Sequence, residues 1–87
     1  MTNDSNAKNI KLWTPATYRI EVNGYLDESW SDRLAGMQIT SRKKADQTIV
    51  SSLVGRLMDQ AELLGVLNGL YNNLHLSILK VEVANSE

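Results

Sequence analysis

The chain has 87 residues, nine Lys and Arg against ten Asp and Glu, and no cysteine. That length leaves room for one core and excludes a second domain, while near-neutral charge excludes an overall field that would draw in nucleic acid or anionic lipid. Disulfide staples are excluded outright, and a zinc site finds only one histidine, His75, so neither a metal nor another cofactor is expected.

Residues 1–12 are polar and rich in Asn, without periodicity, and read as a disordered or extended tail. Met1 to Lys11 lacks the apolar stretch of a secretory signal, and no apolar run approaches the roughly 20 residues that span a bilayer. A cytoplasmic location away from membranes is therefore expected, and the Asn3-Asp4-Ser5 glycosylation match is set aside. Residues 13–84 read as a single α+β domain, and residues 85–87 as a disordered end. Trp13 and Pro15 lead in, with the indole expected over the sheet.

From Thr17 the chain alternates. Tyr18, Ile20 and Val22 point one way and Arg19, Glu21 and Asn23 the other, the period of a half-buried strand, expected to bulge at Gly24 and run on to Leu26. A short helix over residues 27–35 follows, capped by Asp27 or Ser29, stopped at Gly36 and carrying Trp30 and Leu34. Met37 and Ile39 alternate with Gln38 and Thr40 in a second strand, and Arg42-Lys43-Lys44 reads as a turn. Residues 47–57 form a third, interior strand with Ile49, Leu53 and Leu57 on one face and Val50 and Val54 on the other.

Asp59 opens the main helix, which reaches Asn73. It is a good N-cap, and Glu62 three residues later completes a capping box. Intervals of 100° put Leu63, Leu67, Leu70, Tyr71 and Leu74 on the core face. Gly65 and Gly69 fall on the solvent side, where small residues invite close approach of a second backbone. Asn72-Asn73 supplies the C-cap. A last strand, residues 75–84, is apolar on both faces and is not expected at a bare edge. The helix, at about 22 Å, and an eight-residue strand, at about 27 Å, match in length. The simplest architecture is an antiparallel sheet of about four strands on one main helix, ferredoxin-like with a shrunken first helix. In the alternative, the first three strands form a meander and the fourth returns after the helix.

Chemistry-bearing motifs are sparse. His75 stands alone at a helix-to-strand junction, where a cationic side chain serves the last helical carbonyls, and no nucleophile accompanies it. Neither GxGxxG nor GxxxxGK occurs, and three basic residues in a turn make a small phosphate footprint. The expectation is a non-enzyme without catalytic residues.

The segment Leu53 to Leu63, with its Gly55-x-Leu57-x-Asp59-Gln60-Ala61 core, continues through Gly65-Val66-Leu67 to Leu76–Val81. It resembles a group of small uncharacterised bacterial proteins, over about three quarters of the chain once Tyr18 to Leu26 and Trp30 are included. More distantly it is similar to half of an ACT domain, a ferredoxin-like module that dimerises and binds amino acids at strand-to-helix loops. ACT domains carry the signature after their first strand with Pro-Gly behind the Asp; here it follows the third strand and reads Asp59-Gln60-Ala61. The resemblance implies Arg56, Asp59 and Gln60 as ligand-binding candidates.

Because so small a domain buries little surface, self-association is its expected staple. The expected function is a non-catalytic module forming a homo-oligomer, or meeting another protein, through the second sheet face or the glycine face. Val50, Val54, Gly65, Gly69, Leu76 and Ile78 are the interface candidates. ACT-like sensing of a small molecule is the alternative.

Overall fold

A computed structural model describes residues 15–86, with side chains to residue 84. The tail expected over residues 1–12, the placement of Trp13, and Glu87 lie outside the described residues.

Strand β1 (Ala16–Asn23) buries Ala16, Tyr18, Ile20 and Val22 and turns the intervening residues to the opposite face, as alternation requires. It stops short of Leu26 because Gly24 takes φ 121°, a conformation open to glycine, and sends its N–H to the Ile49 carbonyl at 2.7 Å. A 3-10 helix (Glu28–Leu34) follows. Asp27 caps it by accepting from the Ser29 N–H at 3.1 Å, and Ala35 and Gly36 end it with φ of 60° and 71°.

Strand β2 (Gln38–Lys43) runs through Arg42 and Lys43, which were expected in a turn. Both are exposed, so their charges cost nothing in a strand. The turn comes later, where Lys44 donates to the Thr48 carbonyl at 2.7 Å and Asp46 accepts from the Thr48 N–H at 3.1 Å. Strand β3 (Ile49–Leu57) returns through the middle of the sheet.

Helix α1 (Gln60–Asn68) continues directly into a wider π turn (Gly69–Asn73). Its start follows the expected chemistry. Asp59 Oδ1 accepts from the Glu62 N–H at 2.9 Å, and Glu62 Oε1 reaches back to the Met58 N–H at 2.8 Å. Its end departs from expectation, since His75 takes the left-handed conformation at φ 57° in place of an Asn cap. The widened turn explains the shift: Leu74 donates to the Gly69 carbonyl at 3.0 Å and Leu76 to that of Leu70 at 2.9 Å, carrying the helical segment past both asparagines.

Strand β4 (Ser77–Ser86) runs beyond residue 84, to pair Ser86 with Ala16. The sheet has four strands in the order β2-β3-β1-β4, with every neighbouring pair antiparallel. This is an α+β domain, a four-stranded antiparallel sheet beside one helix. β1 pairs with β3 and β4 and not with β2, so no three-strand meander forms. β4, expected away from a bare edge, is an edge strand.

The core lies on the helix side of the sheet, centred on Ile20, Leu53, Leu57, Met37 and Leu70. Burial of each such side chain contributes roughly 1.5–3 kcal/mol. The expected core face holds for Leu63, Leu67, Leu70 and Leu74, which pack into or against the core, while Val66 joins them and Tyr71 does not, being 63% exposed. Leu34 of the 3-10 helix packs on Gly69, where an added Cβ would sit 3.3 Å from Leu34 Cδ2. Gly69 is therefore covered within the protomer, whereas Gly65 faces open space.

Ser51 is fully buried. Its Oγ donates to the Gly24 carbonyl at 2.7 Å and accepts from the Leu26 N–H at 2.9 Å. Its one proton is thereby used, so Ser41, 2.8 Å away, is the donor between the two hydroxyls. This bridge satisfies the backbone where the chain leaves β1.

Candidate functional site

Two strands border the sheet, and they differ in what they offer a partner. β2 exposes Gln38, Thr40, Ser41, Arg42 and Lys43, a polar and cationic edge of the kind that discourages pairing. β4 instead leaves Leu79 53%, Val81 40% and Val83 49% exposed.

Parity explains the apolar row. Val81 and Val83 stand opposite Ile20 and Tyr18 and therefore share the helix-side face with them. α1, however, turns Val66 and Leu70 inward and packs Gly69 toward the 3-10 helix, leaving the β4 border uncovered. On the helical segment, Leu64 of α1 and Tyr71 of the π turn, seven residues apart, are each 63% exposed. Behind the valines, Lys80 and Glu82 occupy the open face of the sheet. Glu82 lies 3.7 Å from Lys80 and 4.0 Å from Arg19.

The residues named from sequence sit elsewhere. Val50 and Val54 lie on the face away from the helix, but Val50 is only 4% exposed and Val54 half-buried, and their cross-strand neighbours are Asn23, Arg42, Arg19 and Gln38, so that face is mixed and polar rather than greasy. Leu76 and Ile78 pack against the protomer's own core, which removes them from the expected apolar surplus. Gly69 is covered by Leu34. Sequence reasoning missed Val81, Val83, Leu64 and Tyr71; the exposed apolar alternation was visible, but the edge position that gives it meaning was not.

Arg56 is an exposed residue near the end of β3, while Asp59 and Gln60 open α1. The Asp59 carboxylate is engaged in the helix cap. Replacing it tests that role: Asp59→Ala is expected to lower stability by about 1 kcal/mol with an unchanged urea m-value in equilibrium unfolding. At the far end of the helical segment, Trp30, Arg33, Leu34, Gly69, Asn73 and Leu74 line a groove of about 300 Å³. Its aromatic surface is already occupied, since the Arg33 guanidinium lies 5.3 Å from the centre of the Trp30 ring. Nearby, the exposed Tyr25 hydroxyl donates to Asp27 at 2.9 Å. Hydrogen bonds from Ser29, and then from Tyr25, hold the Asp27 carboxyl below its ordinary value, and the same contact with Asp27 raises the Tyr25 phenol. Among the described residues, no three His, Asp or Glu side chains converge as metal ligands, and no helix is long and apolar enough to cross a membrane.

A small antiparallel α+β domain with one polar edge and one apolar edge is the class of protein these features define. The chain belongs to the family described as Domain of unknown function (DUF8691), which matches residues 17–82. No curated protein and no solved structure matches it.

Proposed function

We propose that this domain is a non-catalytic interaction module of the cytoplasm that works as a homo-oligomer, with the β4 edge as its contact surface. The carrying observation is the uncovered apolar row of the β4 edge, Leu79, Val81 and Val83, each at least 40% exposed, with Leu64 and Tyr71 exposed on the helical segment. Exposed apolar surface along a strand edge marks interaction sites, and a protein this small gains most from covering it. We read the architecture as a ferredoxin-like variant in which the 3-10 helix replaces the first helix. The order β2-β3-β1-β4 and the helical crossovers from β1 to β2 and from β3 to β4 support that reading. ACT-like sensing has weaker support, because Asp59 serves as a helix cap and Trp30 already stacks with Arg33.

Light scattering across a dilution series tests the proposal. A concentration-dependent dimer is expected, and Val81→Glu is expected to weaken it more than tenfold, because a desolvated charge opposes burial. The circular dichroism of that variant should stay native, since Val81 is not part of the core. A wild-type chain that stays monomeric at every concentration overturns the proposal.

A further inference from the structure

Resting on that reading, we infer that the partner is a second copy of this chain, joined edge to edge through β4 in an antiparallel register centred on Val81. Two copies related by a two-fold axis can extend an antiparallel sheet only if the axis is perpendicular to it. Both helical layers then lie on the same side. Opposite residues must share a face, so the central position is a single residue paired with itself.

Charge order on β4 selects among these centres. A register centred on Lys80 sets Lys80 against Lys80, and one centred on Glu82 sets Glu82 against Glu82; like charges directly opposite are destabilising. A register centred on Val81 places Lys80 of each copy opposite Glu82 of the other. Within one protomer Arg19 already stands opposite Glu82, and Glu21 opposite Lys80. Joining the edges completes a row across the open face that reads Arg19, Glu82, then Lys80 and Glu21 of the second copy, alternating in sign at every step. On the helix side, Val81 meets Val81, and Val83 falls opposite the irregular step at Leu79. The stretch fits: irregularities at residues 79 and 84 bracket a regular run, residues 80–83, paired in register with residues 18–21. The two four-stranded sheets become one of eight strands, with the polar β2 edges outermost.

The cysteine-free chain gives a clean background for cross-linking. Directly opposite Cβ atoms in such a ladder are about 4.5–5.5 Å apart, near enough for a disulfide with slight adjustment. Under mild oxidation, Val81→Cys is expected to form a covalent dimer in high yield. Val83→Cys, which falls opposite the step at Leu79 of the second copy, and Thr40→Cys on β2 are expected to stay unlinked. Charge reversal gives an independent readout. Lys80→Glu and Glu82→Lys should each weaken the dimer about tenfold alone, while an equimolar mixture of the two recovers wild-type affinity as a heterodimer. If wild type dimerises but Val81→Cys fails to link and the mixture fails to recover, this register is wrong and the broader association reading stands. If wild type never dimerises, both fall.

Discussion

Ser51→Ala is expected to cost about 3 kcal/mol of folding stability, a large share of what so small a domain possesses. The side chain removed is only one hydroxyl, and its volume is nearly kept. What remains is the problem: the Gly24 carbonyl and the Leu26 N–H both lose the partner that satisfies them next to the core. Each orphaned buried group costs roughly 1–3 kcal/mol, and the Ser41 hydroxyl loses its acceptor as well. Urea unfolding with an unchanged m-value reads the loss directly. A loss under about 0.5 kcal/mol would mean that water replaces the hydroxyl and that the bridge is dispensable. The bridge also predicts where the damage falls: amide exchange should accelerate at Leu26 and the start of the 3-10 helix before it does at the centre of β3.

Gly55→Val is expected to destabilise by about 3 kcal/mol through the opposite mechanism, overpacking. Gly55 sits opposite Tyr18 in the sheet, with Met37 close against its Cα on the other side. A Cβ there would stand 3.0 Å from Met37 Cγ and 3.1 Å from Met37 Cα, and the second of these atoms is backbone, which cannot rotate away. The chain entering β2 would have to lift. Combining Gly55→Val with Met37→Ala should therefore cost less than the sum of the two single losses, because the truncated side chain yields part of the space. Strict additivity in thermal unfolding would sink this account.

How much of this was legible beforehand follows the range of the forces involved. β1, the start of α1 at Asp59 and the short helical turn after Asp27 are written in local chemistry, namely alternation, a capping carboxylate and a left-handed stop, and the structure reproduces them. The helix wheel places Leu63, Leu67, Leu70 and Leu74 on the core side correctly, but apolar residues spread so widely around it that Val66 and Tyr71 fall on the wrong sides. Gly69, on the solvent side of the same wheel, is covered by Leu34, a contact across thirty-five positions of sequence. Strand order was hidden for the same reason. The apolar run of β4 reads as a doubly covered strand until its neighbours are known, and only then do Val81 and Val83 become exposed surface. Ser51 left a faint signal: it falls at an inward position between Ile49 and Leu53, where a hydroxyl without a task would be a liability.

The pairing of β1 with β4 closes the sheet between the first described strand and the last, with Ala16 beside Ser86. No N-terminal fragment can assemble this layer, since the innermost strand waits for the final one to arrive. Closure across so many residues must be completed before its contacts repay the lost chain entropy, which places the domain among slow folders, in the millisecond-to-second range. During that wait β1 is itself an unpaired margin, so a truncation that deletes the last strand should yield sticky, aggregating material rather than a smaller soluble domain.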